Sequence, residues 1–445
     1  MRWAIRRPSR NPPTSIPLSW TSRATSAVRT RSARRGKTLR ARPFCWPCWR
    51  RYNRKPDKGC ALQLPCRGKP LWWPPDRPEQ GADLDISHLD WERRRWVREA
   101  VQRINADFNR SADTHLIKVD LPGFPDQTLY LKDESTHPTG SLKHRLARSL
   151  YLFALCNGWI GPDTVIVESS SGSTAVSEAY FARLLGLRFI AVVQEGVSRS
   201  KIDQIAFYGG ETRAVAPADI YAEAQRITAE LGGHYMDQFT YAERVTDWRG
   251  NNNIAESLFS QLAMEAHALP DWVVMSAGTG GTSATIGRFI RYRCDIAAKT
   301  SLCVADPENS VFYDHYETGD PDIRIGTKSR IEGIGRPRVE ASFQPNVIDR
   351  MMRVPDAASI ATIHWLQGLL GRRCGGSTGT NVWAALNLMN EMRAAGRAGS
   401  VATLICDGGE RYLDTYYDPA WIASQGLDLA PHLAQLERAM SGEAA

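Results

Sequence analysis

The sequence predicts an α/β fold in which parallel strands are wound with helices on both faces. Two observations carry that expectation. Short apolar, β-branched runs alternate with stretches of helical periodicity along most of the chain, the pattern of strands joined by crossover helices. From residue 86 onward there are 360 residues, enough for two α/β domains with buried sheets.

The elements read in order as follows. Leu129-Tyr130-Leu131 alternates like a strand and leads through polar residues 132–135 to a turn marked by Pro138 and Gly140. Leu146, Leu150, Phe153 and Ala154 then recur at helical spacing, with Ser141 as the expected N-cap. The run Thr164–Val167 precedes a helix from about Val176 to Leu185, followed by strand-like Phe189–Val193 and Thr212–Val215. Helices are expected around Tyr221–Leu231 and Ile254–His267, and further strands at Trp272–Met275, Leu302–Ala305 and Thr403–Cys406.

Three strand-to-helix loops carry chemistry. In Ser141-Leu142-Lys143-His144-Arg145, one lysine opens a helix behind Pro138-Thr139-Gly140. Drying its surroundings would lower its pKa and let the neutral amine form a Schiff base with an aldehyde. A solvated first-turn lysine is the ordinary outcome for such a motif alone, and two partners argue against it here. Glu168-Ser169-Ser170-Ser171-Gly172-Ser173-Thr174-Ala175 offers unpaired backbone N–H groups and hydroxyls at a helix start, which suits an anion such as an amino-acid carboxylate. Ser276-Ala277-Gly278-Thr279-Gly280-Gly281-Thr282-Ser283 lets backbone approach a phosphate closely. It lacks the Gly-Lys-Ser/Thr of a Walker loop and the third glycine of a dinucleotide fingerprint, so a phosphate cup fits better.

In this order and spacing, the three motifs resemble the fold-type-II pyridoxal-phosphate enzymes, within them the cysteine synthases, cystathionine β-synthases and, most of all, L-cysteine desulfhydrases. Ile331-Glu332-Gly333-Ile334-Gly335 and Gly375-Gly376-Ser377-Thr378-Gly379 resemble two further segments of that family, and the likeness spans about Trp96 to Asp414. It implies a tryptophan-synthase-β-like architecture: two doubly wound, mostly parallel sheets with pyridoxal 5'-phosphate in the cleft between them. A smaller subdomain of about 141–270 and a larger one of 86–140 plus 271–445 are expected.

By the same resemblance, Lys143 holds the cofactor and then takes the Cα proton as general base. Gly278, Thr279, Gly280, Gly281 and Thr282 hold the phosphate, and Ser170, Ser171, Gly172 and Thr174 the substrate carboxylate. Ser377 faces the pyridine nitrogen, and a neutral partner there favours prompt loss of a β-substituent to give an α-aminoacrylate. Ser173 departs from the pattern, because relatives usually carry Asn there, against the ring hydroxyl. The implied reaction is β-elimination on L-cysteine, yielding pyruvate, ammonia and hydrogen sulfide. The alternative is β-replacement of the cysteine synthase or cystathionine β-synthase type.

Residues 1–85 stand apart. Met1–Gln80 holds 20 Lys and Arg against 3 Asp and Glu, a net of +17, whereas the rest carries 36 against 45, a net of −9. The basic balance is therefore a property of the extension, and nucleic-acid binding by the catalytic region is not expected. Arg, Pro, Ser and Trp dominate the extension without an amphipathic period, so disorder is expected, and a mis-assigned start codon is the simplest origin. The early prolines argue against a transit helix, and no apolar core of a secretory signal follows Arg6-Arg7. Cys45, Cys48, Cys60 and Cys66 lack two tight knuckles and read poorly as a zinc site, so no metal is expected. Cys156, Cys294, Cys303, Cys374 and Cys406 are scattered, as suits free thiols in a reducing cytoplasm. No apolar run approaches 18 residues, so no membrane span is expected, and a homodimer is.

Overall fold

The computed structural model describes residues 90–110 and 113–442. The basic extension, with Cys45, Cys48, Cys60 and Cys66, lies outside the described residues. Ten strands run in chain order: β1 His115–Val119, β2 Gln127–Asp133, β3 Ile166–Glu168, β4 Phe189–Gln194, β5 Glu211–Val215, β6 His234–Tyr235, β7 Trp272–Ser276, β8 Ser301–Pro307, β9 Arg350–Val354 and β10 Gly399–Ile405. They form a six-stranded sheet, β1-β2-β10-β7-β8-β9, and a four-stranded sheet, β5-β4-β3-β6. Every pairing is parallel except β1 with β2. The expected α/β class with two mostly parallel sheets is what the chain adopts.

The large sheet is buried on both faces, which explains its near-continuous apolar strands. All seven residues of β10 are buried. Leu129, Leu131, Val274 and Val401 share one core cluster, while Tyr130, Val273, Met275 and Ala402 share another, as period-2 alternation requires. The helix Gly376–Ala394 runs through the first cluster. A Cβ at Gly379 would fall 1.9 Å from the Ser359 carbonyl oxygen, so glycine lets this helix press against Asp356–Leu370. The small sheet packs with Lys143–Cys156 and Ser173–Leu185, and Ala100 and Ile104 of the helix Trp91–Asn109 join the same cluster. The helix Ile254–Leu262 packs with the large sheet.

Three local expectations are corrected. Ser141 does not cap its helix: the helix begins at Lys143 without a side-chain cap, and Ser141 instead forms a β-bridge with Asp407. The helix expected to reach His267 stops at Leu262, and the one expected from about Val176 begins at Ser173. Strands β1, β6 and β9 escaped notice because they are short or carry polar residues that interrupt any alternation.

Candidate active site

Lys143 owes its position to two elements distant in sequence. The chain leaves β2, turns at Gly140 with φ +71°, and is then held against the end of β10. Leu142 N donates to Cys406 O at 2.8 Å, and Ser141 pairs with Asp407. Beneath the helix, Arg145 binds the fully buried Glu134 at 2.6 Å and Asp113 at 3.0 Å, fixing the first turn. Burial lowers the pKa of the Lys143 amine; Cys406 and Asp407 oppose this, and Arg336 adds to it. Lys143 opens onto a cavity of about 570 Å³, which accounts for its residual exposure.

That cavity gathers the expected residues with one exception. Ser170, Ser171, Gly172, Ser173, Thr174, Gly278, Thr279, Gly280, Thr282 and Ser377 all line it together with Lys143. Gly281 does not. A Cβ there would fall 2.6 Å from the Ala242 carbonyl oxygen, so this glycine serves packing behind the loop. Gly280 has φ +88°, a conformation that favours glycine, and a Cβ there would meet Phe343 Cα at 2.7 Å. Gly278 packs on the Gly333 carbonyl, and Gly335 N donates to Ala277 O at 2.9 Å, which joins two of the glycine motifs. The cup's glycines therefore fit neighbouring backbone. The helices Gly281–Tyr292 and Ser173–Leu185 both start without a side-chain cap, leaving first-turn N–H groups to meet an anion.

The hydroxyl loop is tied down from below. Glu168 accepts from Ser169 N at 2.7 Å and Gln238 N at 3.2 Å, while Thr174 Oγ1 donates to Gln238 Oε1 at 2.8 Å. Thr174 thus directs its hydroxyl at Gln238. Burial raises the Glu168 pKa to about 7 and pushes Glu178 up as well. Both Glu178 carboxyl oxygens are buried without a donor, and Glu168 lies beside them. A proton on either carboxyl would supply the missing donor.

Several residues of the site were not singled out by sequence reasoning. Ser173 Oγ accepts from Arg411 Nη1 at 2.7 Å, and Arg411 Nη2 also donates to Thr139 O at 2.7 Å. Arg411 therefore joins the segment after β10 to both the hydroxyl loop and the lysine loop. Asp407 Oδ2 accepts from Tyr412 OH at 2.7 Å, Oδ1 has no partner, and burial raises the carboxyl to about 6. Cys406, whose thiol burial pushes up to about 12, accepts a hydrogen bond from Asn381 at 3.4 Å and lies near Ser377 and the Lys143 charge. The charged sequence Glu410-Arg411-Tyr412, in the loop after an apolar strand, was the available signal.

The donor set fits pyridoxal phosphate. It combines a lysine of lowered pKa, two uncapped helix starts with hydroxyls, a cavity of suitable size and a neutral serine. The family model of pyridoxal-phosphate dependent enzymes matches residues 111–407, and the chain belongs to that family. Among curated relatives it is 59% identical over 361 residues to an L-cysteine desulfhydrase, Cds1, of Mycobacterium tuberculosis, covering 80% of this chain and 96% of that protein. It is 32% identical to a putative cysteine synthase of Sinorhizobium fredii, covering 74% and 96% respectively. The crystal structure of O-ureido-L-serine synthase shares the fold, with a TM-score of 0.60 at 24% identity over 73% of this chain and 98% of that one. Among the described residues no helix is long and apolar enough to cross a membrane.

Proposed function

We propose that this chain is an L-cysteine desulfhydrase, cleaving L-cysteine by β-elimination to pyruvate, ammonia and hydrogen sulfide. The observation that carries this is the 59% identity to a desulfhydrase along nearly that protein's whole length. Supporting it, the residues the reaction needs converge on one cavity.

Lys143 would hold pyridoxal phosphate until the substrate's own amine takes its place, and the group would then supply the electron sink that makes the substrate's Cα proton acidic. Lys143 is the base: burial lowers its pKa, which favours the neutral amine that can take that proton. The N–H groups and hydroxyls of Gly278, Thr279, Gly280 and Thr282 hold the phosphate, and Ser170, Ser171, Gly172 and the Thr174 backbone hold the substrate carboxylate. Ser377, neutral and placed at the first turn of its helix, would face the ring nitrogen and would put no full negative charge beside it. Ser173, held by Arg411, is the partner of the ring hydroxyl. Overall, the Cβ–S bond of cysteine breaks, sulfide leaves with a proton, and water releases ammonia from the remaining three carbons. The protein acts as a cytoplasmic homodimer.

The test is a spectrum and a product assay. Purified protein should carry the cofactor's visible absorbance and convert L-cysteine to equal amounts of pyruvate and sulfide. A thioether as the main product in the presence of a second thiol would favour replacement, the reading suggested by the 32% identical putative synthase.

A further inference from the structure

The cavity has a rim, and two contacts cross it. Gln194 at the end of β4 and Lys201 in the helix Arg199–Phe207 belong to the small-sheet side. Lys328 and Glu332 stand opposite, in the segment leading into Gly333-Ile334-Gly335. All four line the cavity. The Lys201 and Glu332 side chains also keep 27% and 39% of their exposure, which places them where cavity meets solvent. Lys201 Nζ lies 2.8 Å from Glu332 Oε2, and Lys328 Nζ donates to Gln194 Oε1 at 3.1 Å.

The two jaws are anchored differently. Glu332 N donates to Tyr416 OH at 2.7 Å, and that hydroxyl donates to Arg330 O at 2.8 Å. The next residue, Gly333, packs directly on Gly278 of the phosphate cup. Glu332 is thus fastened to the large-sheet side, while Lys201 is fastened only through its own helix, in which Ile205 alone is buried.

We propose that the Lys201–Glu332 and Lys328–Gln194 contacts form a latch that decides which second reactant reaches the site, admitting water and excluding a bulky thiol. The inference rests on the cavity being the site of the cysteine reaction. L-cysteine enters while the jaws are apart; once it is bound and they close, water still needs no gap at the rim, whereas a second amino-acid-sized thiol needs them to part again. A half-exposed ion pair shifts such an equilibrium by only a few-fold and weakens with salt. Its loss therefore spares the fold but changes the partition. With a thiol admitted, the Cβ–S bond of cysteine breaks, a new Cβ–S bond to the thiol forms, and hydrogen sulfide leaves.

The test uses the full-length holoenzyme with L-cysteine and L-homocysteine, reading the ratio of thioether to pyruvate. Lys201→Met and Glu332→Gln should each raise that ratio by about threefold to fivefold, with the bound cofactor's absorbance unchanged. The charge-swapped pair Lys201→Glu with Glu332→Lys should return it toward the wild-type value. Added sodium chloride should raise the ratio in the wild type and leave the single variants unmoved. Pyruvate release from cysteine with a ratio indifferent to all these changes would overturn the latch alone. No pyruvate from cysteine by the wild type would overturn the desulfhydrase reading and the latch together.

Discussion

At the scale of single residues, three lysines besides Lys143 invite comparison. Lys132 is buried with its pKa lowered to about 8, but its amine is committed to Thr114 O and Gln261 Oε1. Lys201 and Lys328 line the cavity, yet each holds a partner across the rim. Only Lys143 combines a lowered pKa with a free approach to the cavity, so Lys143→Ala should abolish both turnover and borohydride-fixed cofactor. Mass mapping of the reduced protein checks this, and an adduct at Lys201 or Lys328 would refute the assignment. Ser377 makes the sharper test. It sits in the first turn of Gly376–Ala394, where the helix dipole tolerates aspartate. Ser377→Asp should therefore fold normally, shift the absorbance of the bound cofactor with L-cysteine present, and slow sulfide release by on the order of tenfold. An unchanged spectrum with near-normal turnover would reduce Ser377 to a helix-terminal residue.

At the scale of elements, the strand β3 and the helix Ser173–Leu185 are coupled through Glu168 and Glu178. Both carboxyls bind protons more tightly folded than unfolded. In the window between 4.5 and about 7 the native state holds the extra proton, so stability falls as pH rises through that window. Glu178→Gln replaces a shared proton with an amide donor and removes part of this slope. Thermal melts at pH 5 and pH 8 should show little change at the lower pH. At pH 8 they should show a gain of about 1–2 kcal/mol. Equal slopes in variant and wild type would mean that no proton is shared there. The same pair explains why the hydroxyl loop is well positioned: Glu168 holds the backbone on both sides of it through Ser169 and Gln238.

At the scale of the whole molecule, every residue named in the proposed chemistry lies within the described residues, and the strongly basic extension supplies none. Deleting residues 1–85 should leave the cofactor's absorbance and cysteine turnover within about twofold of the full chain. Loss of bound cofactor on deletion would show that the extension takes part in the fold. The net charge of +17 in residues 1–80 against −9 elsewhere also means that the truncated protein should move from a basic to an acidic isoelectric point. Isoelectric focusing reads this directly.

The sequence by itself determined the parts of this protein that are local. An apolar run, a loop of glycines and hydroxyls, and a helical period specify a strand, an anion-binding turn and a helix wherever they occur together. Lys143, the loop Ser170–Thr174 and the glycine loop Gly278–Thr282 were legible as candidates for that reason, as was the α/β class, whereas Ser377 came from the family resemblance alone. What it could not express was partnership between residues far apart in the chain. Arg411 meets Ser173 across 238 positions, and Lys328 meets Gln194 across 134. Glu168 and Glu178 lie side by side, and raise one another's affinity for a proton, only because a strand end and a helix pack together in the core. Gly281, read as part of the phosphate cup, turned out to make room for Ala242. Periodicity reports which face of an element is buried and is silent on what it is buried against, and that choice was made by tertiary packing.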